Sequence, residues 1–339
     1  MTPLISVLMP ARNASAYIAE SLTSLVKQTF EDFEVIVVDD ESSDGTGQIA
    51  SDIGDRRIRV TRNDQRRGIS GALNRAIEEA QGRLFARLDA DDIALPERFA
   101  AQVEFLDRSP EIGVVGTAFR KVDRAGRPLD RSHLVNDPTI LAWELYFSNQ
   151  LAHPSVMMRA DLVRAVGGYR DEFAIAQDYD LWTRIARRAG IANLPTIMLH
   201  LRQHEGQATV QHLSRMQNEA DQIRRDYLLS LTMRPIDDDV AAAWCRVARG
   251  EVVSGAGRLD AVARLTARAA ATYIRQARVS AEHARDIRRR AAQRIFTLAN
   301  FALRGAPWVM PILVGRAMAL NPRVAIDPET YRRGATPGM

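Results

Sequence analysis

Over the first two hundred residues, short apolar runs rich in β-branched residues alternate with stretches whose apolar positions recur every three or four residues. "ISVLMP" is a buried-strand pattern closed by Pro10, and Ile18, Leu22, Leu25 and Val26 follow at helical spacing. "FEVIVVDD" reads as a second strand, and "SSDGT" supplies turn and capping chemistry before a helix carrying Ile49 and Ile53. "RIRVTRN" and "RLFARLD" read as third and fourth strands. Between them lies a helix marked by Leu73, Ala76, Ile77 and Ala80 and closed by Gly82. Strand and helix alternating through short loops predict an α/β fold, a Rossmann-like, mostly parallel sheet with helices on both faces. Ligands of such sheets bind beyond the carboxyl ends of the strands. Asp39 and Asp40 end the second strand and Asp89 the fourth, so two acidic strand ends are expected to face one crevice.

Further along, Pro96 is expected as the first residue of a helix whose buried stripe is Phe99, Val103 and Leu106. "GVVGTAFRKVD" reads as a strand, and residues 178–190 as a helix capped by Gly190. "NLPTIMLHLRQHEGQAT" reads as a strand leading into a polar loop. Beyond about Ser214 alanine and arginine dominate and strand signals vanish. The expected division is therefore a strand-bearing domain over 1–213 and an all-helical, basic C-terminal region over 214–339.

Several classes are disfavoured by composition. With 339 residues, 46% of them hydrophobic and 26% charged, the chain can bury an ordinary globular core. A net charge of +4 is too mild for a nucleic-acid footprint, and no nucleic-acid partner is expected. Cys245 is the only cysteine, which excludes an internal disulfide and a CxxC metal site and suits a reducing compartment. "MTPLISVLMPARN" has no basic leader, and no segment offers the roughly 18 clean apolar residues of a membrane span. A cytoplasmic location is expected.

Five short stretches can carry chemistry. "RLDADD" places Asp89, Asp91 and Asp92 within four positions, where like charges repel. A D-x-D pair on an extended segment or tight turn points both carboxylates one way, which suits Mg²⁺ or Mn²⁺, although a solvated turn capped by Asp92 has the same composition. In "VVDDESSDGT", helix capping accounts for Ser43 or Asp44 but not for Asp39 and Asp40; a carboxylate there can accept hydrogen bonds from a ribose or a base. In "AQDYDLW", Asp178 stands near a helix N-terminus, either as an N-cap or as a general base kept ionised and aimed at a hydroxyl. Arg202 and His204 of "LRQHEG" can complete a metal shell or touch a diphosphate, and His153 and Ser155 of "LAHPSVMMR" either line an acceptor pocket or order a turn with Pro154.

These stretches, taken in order with "SLVKQTFEDFEVIVVDDESSDGT", "GISGALNRAIEEAQGRLFARLDADD", "VGGYRDEF" and "QDYDLWTRIA", resemble the inverting nucleotide-sugar glycosyltransferases of family 2, which have the GT-A fold. The resemblance covers roughly residues 3–212. It implies that Pro10, Arg12 and Asn13 border the nucleotide and that Asp39 or Asp40 binds the uracil or ribose. It implies a D-x-D pair of Asp89 and Asp91, with Asp91 the stronger ligand for Mn²⁺ or Mg²⁺, and Asp178 as the catalytic base. Arg202 and His204 fall where diphosphate contact is expected. The family often has Glu before its catalytic Asp; here the residue is Gln177, a change that bears on acceptor contacts. The implied reaction is one in-line displacement from a UDP-type donor to a hydroxyl of a polysaccharide, lipid-linked glycan or cell-envelope glycoconjugate. A non-catalytic sugar-nucleotide-binding protein is the alternative, disfavoured by Asp91 and Asp178. A nucleotidyltransferase would want a Gly-rich, Lys-containing phosphate loop, which the sequence lacks.

Residues 281–339 hold ten arginines against four acids. Within 281–320 they mix with Phe296, Leu298, Phe301, Leu303 and Trp308, a composition for attachment to an anionic membrane surface, for a packed helical cap or for a homodimer contact.

Overall fold

The computed structural model describes residues 2–204, 212–303 and 305–327. The polar loop expected after Arg202 continues into 205–211, and the end of the basic tail is 328–339; both lie outside the described residues. The chain forms two units, Met1–Leu141 with Asn149–Ala220 and Ala142–Ser148 with Asp221–Met339.

The first unit is built on a nine-stranded sheet of order β3-β2-β1-β4-β8-β6-β9-β5, with β7 paired to β6. The strands are β1 (Ile5–Ala11), β2 (Phe33–Asp39), β3 (Ile58–Arg62), β4 (Leu84–Arg87), β5 (Ile93–Ala94), β6 (Ile112–Val122), β7 (Pro128–Arg131), β8 (Met157–Arg159) and β9 (Gly190–Arg202). β1 pairs in parallel with β2 and β4, and β2 with β3. Ile5, Val7, Leu8 and Met9 of β1 and Val35–Val38 of β2 are fully buried, as strands covered on both faces must be. Helices α1 (Ile18–Val26), α2 (Thr46–Asp52), α3 (Gly68–Glu79) and α4 (Arg98–Arg108) supply the cover. Leu22 and Leu25 of α1 and Phe99 and Val103 of α4 join the sheet in one core.

The remaining half of the sheet departs from the mostly parallel expectation. β8 runs antiparallel to both β4 and β6, β5 antiparallel to β9 and β7 antiparallel to β6, while β6 and β9 are parallel. Three-residue β8 is too short to show a period, and a tight turn at His153–Ser155 sets its direction. Helices α5 (Pro138–Glu144), α6 (Ala160–Ala165) and α7 (Gln177–Ile185) follow in the chain. The helix expected over 178–190 is therefore shorter. Gly190 does not cap it but opens β9, its N–H donating to the Glu111 carbonyl at 2.8 Å. Pro96 likewise precedes α4 rather than starting it, and its carbonyl accepts from the Thr29 N–H at 2.9 Å. Gly82 does not close α3, which ends at Glu79; it lies against β1, where a Cβ would sit 2.5 Å from the Ser6 nitrogen.

Beyond β9 the described residues form α8 (Leu213–Thr232), α9 (Asp238–Ala248), α10 (Ala256–Gln276), α11 (Ala281–Ala302) and α12 (Met310–Leu320), with no further strand among them. Within the second unit Phe147 stacks on Trp244 at 4.9 Å and Tyr146 on Tyr227 at 4.2 Å. Buried Glu144 is bracketed by Arg290 at 3.1 Å and Arg294 at 2.5 Å. Cys245 is buried and free. Of the apolar residues that membrane attachment, a packed cap or a dimer contact could each use, Leu298 is fully buried, and Phe296 and Phe301 are half-buried. No described helix is long and apolar enough to cross a membrane.

Candidate active site

β2 and β3 lie to one side of β1 and β4 to the other. The chain thus reverses its direction of sheet growth at β1, and a crevice opens beyond the carboxyl ends of β1 and β4. Pro10 is half-buried at the end of β1, and Arg12 and Asn13 are exposed just beyond it. Asn13 has a left-handed backbone (φ 48°), which an asparagine tolerates better than most residues. Its N–H donates to Ser42 Oγ and its Oδ1 accepts from the Ser43 N–H, both at 3.0 Å. The Ala14 N–H donates to Thr46 Oγ1 at 2.8 Å and the Ser15 N–H to Asp44 at 3.0 Å. Slight burial works against Asp44, but its Thr46 and Ser15 donors hold the carboxyl down at about 2. The loops after β1 and β2 are thereby sewn into one floor.

Asp39 and Asp40, left open as alternatives by sequence, are placed differently. Buried Asp40 accepts Asn63 Nδ2 and the Arg67 N–H at 2.8 Å and the Gly68 N–H at 2.9 Å, so it builds the turn into α3. Asp39 accepts the Ser42 N–H at 2.9 Å and pairs with exposed Arg62 at 3.2 Å.

At the end of β4, carboxylate oxygens of Asp89, Asp91 and Asp92 all lie within 4.8 Å of one another. Asp92 belongs to the cluster while also fixing the turn: it is buried and accepts the Arg202 N–H at 2.8 Å. Burial, reinforced by the neighbouring carboxylates, raises Asp91 and raises Asp92 well above the usual range. Asp89 is bound by Arg87 at 2.6 Å, and Arg87 is itself fully buried. Next to it, fully buried Arg98 donates to the Arg87 carbonyl at 2.7 Å, and burial pulls Arg98 down to about 9. His204 reaches Asp91 through Nε2 at 2.8 Å, and its ring stacks on Tyr17 at 5.1 Å. It therefore stands behind Asp91, outside the three-carboxylate group. Arg202 is turned inward: its guanidinium donates to the carbonyls of Asp91 (2.9 Å) and Arg124 (2.8 Å) and to Glu20 (2.7 Å). That set clamps the acidic turn, a different position from the open diphosphate contact expected of it.

Asp178 occupies the first turn of α7 and is partly exposed. It accepts Asn149 Nδ2 and the Tyr179 N–H, each at 2.7 Å. The helix N-terminus was expected to favour its ionised form, but burial outweighs that, and the carboxyl is pushed up to about 6 despite its hydrogen bonds. Buried Gln177 precedes it, with Oε1 meeting no hydrogen-bond partner among the described residues. Two supports fix this turn. Glu219 accepts the N–H groups of Ala174 (3.1 Å), Ile175 and Ala176 (both 2.9 Å), and buried Asp180 is held by Arg170 and by Arg184, the latter at 2.7 Å. His153 is buried, hydrogen-bonded to Tyr169 at 2.8 Å and kept neutral, burial and then the Arg87 charge driving it well below its ordinary range. Ser155 is fully buried between the Ala152 carbonyl (2.8 Å) and the Thr117 N–H (3.2 Å). Both residues order the turn before β8 and neither faces open space. The charge of Arg87 acts on Asp178 and on His153, and Tyr169 feels both Asp178 and Asp89. The acidic cluster and Asp178 thus share one electrostatic neighbourhood.

Residues 6–164 match the family described as Glycosyl transferase family 2, a span that contains the acidic cluster and stops short of Asp178. An uncharacterized glycosyltransferase of Haemophilus influenzae is 30% identical over 242 residues, covering 66% of this chain and 73% of that protein. Among solved structures, TarS 1–349 of S. aureus in complex with UDP-GlcNAc superposes with a TM-score of 0.57 at 21% identity, over 98% of this chain and 92% of that one. A mannosyltransferase from Pyrobaculum calidifontis in complex with GDP-Man and Mn²⁺ gives a TM-score of 0.52 at 19% identity, over 97% and 88%. The two structures share the GT-A fold with this chain, and the sequence relationship goes further: the chain belongs to glycosyl transferase family 2.

Proposed function

We propose that this transferase moves a sugar from a nucleotide-sugar, UDP-linked, to a hydroxyl of a glycan or lipid-linked acceptor, with inversion at the anomeric carbon. The observation that carries the proposal is the shared neighbourhood of the Asp89–Asp91–Asp92 cluster and Asp178, linked through Arg87. The reacting groups are assigned to residues 1–213, and the helices of 214–339 to a role outside the chemistry.

The floor made by residues 10–15 and 39–46 borders the nucleotide, with Asp39 or Asp40 toward the base or ribose. A hard, oxygen-only donor set with its oxygens gathered this closely fits Mn²⁺ or Mg²⁺, with Asp91 and Asp89 as principal ligands. Such a cation, when bound, offsets the charge of the nucleoside diphosphate leaving group. His204 and Arg202 keep Asp91 in position. Asp178 takes the proton of the acceptor hydroxyl as its oxygen bonds to the anomeric carbon; the bond from that carbon to the diphosphate oxygen breaks, and its electron pair leaves with the diphosphate. A single displacement inverts the configuration. A carboxyl titrating near 6 is about nine-tenths ionised at neutral pH, yet basic enough to accept a proton.

A panel of nucleotide-sugars, UDP-GlcNAc and GDP-Man among them, identifies the donor by the stabilisation it confers with Mn²⁺. With that donor, Asp178→Asn should abolish nucleoside diphosphate release while leaving its binding largely intact. Release at a near-normal rate would remove Asp178 from the role of base.

A further inference from the structure

α12 breaks the rule that a surface helix shows water a polar stripe. Leu313 and Ala317 turn inward, while Pro311, Ile312, Gly315, Met318 and Ala319 are exposed. The helix has one charged residue, Arg316, which is bound to Asp260 at 2.7 Å. The turn leading into it adds exposed Leu303, Gly305, Pro307 and Trp308, the last 71% exposed. Ile312, half exposed, and Ile326, 77% exposed, extend the same character. An uncovered apolar face of this kind marks a surface that something else covers.

We infer that the face formed by Leu303 and residues 305–319 rests on an anionic lipid bilayer, with Trp308 and Ile312 entering the headgroup region. The charges of the neighbouring segments select that occupant. On α11 the outward charges include Arg285 and Arg288, Arg323 follows α12, and Glu282 is the exposed acid of the segment. The other two acids, Asp286 and Asp327, are neutralised within the unit by Arg289 and Arg290. These segments carry an excess of exposed arginines over acids, and a second copy would bring a like excess toward them, because a two-fold interface uses the same patch twice. Anionic headgroups complement both the cations and the apolar surface. The element lies on the bilayer, since no described helix is long and apolar enough to cross it. A tryptophan at the rim suits this depth, its ring apolar and its N–H wet.

The inference is independent of the transfer reading, and its test reads binding rather than turnover. Of the four tryptophans, Trp143, Trp182 and Trp244 are buried, so a change of environment on binding reports Trp308. The full chain should sediment with phosphatidylcholine vesicles containing phosphatidylglycerol, and less so with pure phosphatidylcholine or at high salt. Its emission should shift to the blue and be quenched by brominated lipid. The double variant Trp308→Ser/Ile312→Ser should bind those vesicles about tenfold more weakly or worse, with unchanged melting temperature and circular dichroism. Arg285→Glu/Arg288→Glu should lose the preference for phosphatidylglycerol. A chain that stays in the supernatant with unshifted emission overturns the inference. So does a wild-type dimer in sedimentation velocity that Trp308→Ser converts to monomer, since a second copy would then cover the face.

Discussion

Asp178 should cost the fold stability in proportion to how basic it has been made. In the unfolded chain an aspartate titrates near 3.8, and here it is pushed up to about 6, chiefly by burial. The folded state therefore binds the proton more tightly. Stability falls as pH rises through the window from about 4 to about 6, and the full cost is present above it. A shift of about two units corresponds to roughly 3 kcal/mol, and partial exposure of the side chain reduces this to about 1–2 kcal/mol. Asp178→Asn removes the charge and keeps one oxygen to accept the Tyr179 N–H, while giving up the bond from Asn149 Nδ2. The variant should thus be more stable than the wild type by up to about 1 kcal/mol at pH 8, a gain of a few degrees or less in melting temperature. The advantage should shrink as pH falls toward 4, where the wild-type carboxyl is protonated as well. Thermal melts of both proteins from pH 4.5 to 8 test this without any knowledge of donor or acceptor. A variant less stable than the wild type at pH 8, or a difference that does not change with pH, would refute the burial argument.

Other substitutions probe different parts of the reasoning. Gly82→Ala puts a methyl 2.5 Å from the Ser6 nitrogen and 2.8 Å from the Ile5 carbonyl carbon, backbone that cannot swing aside; chemical denaturation should show a loss of about 1–3 kcal/mol or more. Asp180→Ala removes the buried carboxylate shared by Arg170 and Arg184, leaving Arg184, whose side chain is 16% exposed, on the Val166 and Gly168 carbonyls and Arg170 on Glu172, so a loss of roughly 3 kcal/mol and a looser Asp178 turn are expected from melts and hydrogen exchange. Asp91→Ala should leave nucleoside diphosphate affinity the same with and without Mn²⁺ in calorimetry, whereas a retained metal effect would move the ligand role elsewhere.

What could be read from the chain followed physical locality. β1, β2 and the acidic ends of β2 and β4 are legible because a strand buried on both faces writes its burial as one continuous apolar run, and like charges crowded at its end stand out. Asp178 is legible for the same reason, as an acid at a helix start. Arg87 and Arg98 went unseen because a strand or helix arginine reads as surface, while their burial depends on partners such as Asp89 and on the carbonyl of Arg87 itself. Asn149 lies 29 residues from the carboxylate it contacts and sits in no motif. Arg202 read as a ligand of an anion because its neighbours were polar; only the folded chain brings Glu20, 182 residues away, to its guanidinium. The antiparallel run of β8 was hidden by its length. In the C-terminal helices composition left open which apolar residues pack and which face out; the folded chain buries Leu298 and exposes Leu303, Trp308 and Ile312.

The three N–H groups gathered by Glu219 set a lower limit on how small a working version of this protein can be. A fragment ending at residue 213 would retain every carboxylate assigned to the reaction and still lose the acceptor for Ala174, Ile175 and Ala176. Each donor left without a partner costs about 1–3 kcal/mol when buried, enough to let the turn slacken and the base wander. The shortest chain that could do the chemistry is therefore longer than the shortest chain that contains it.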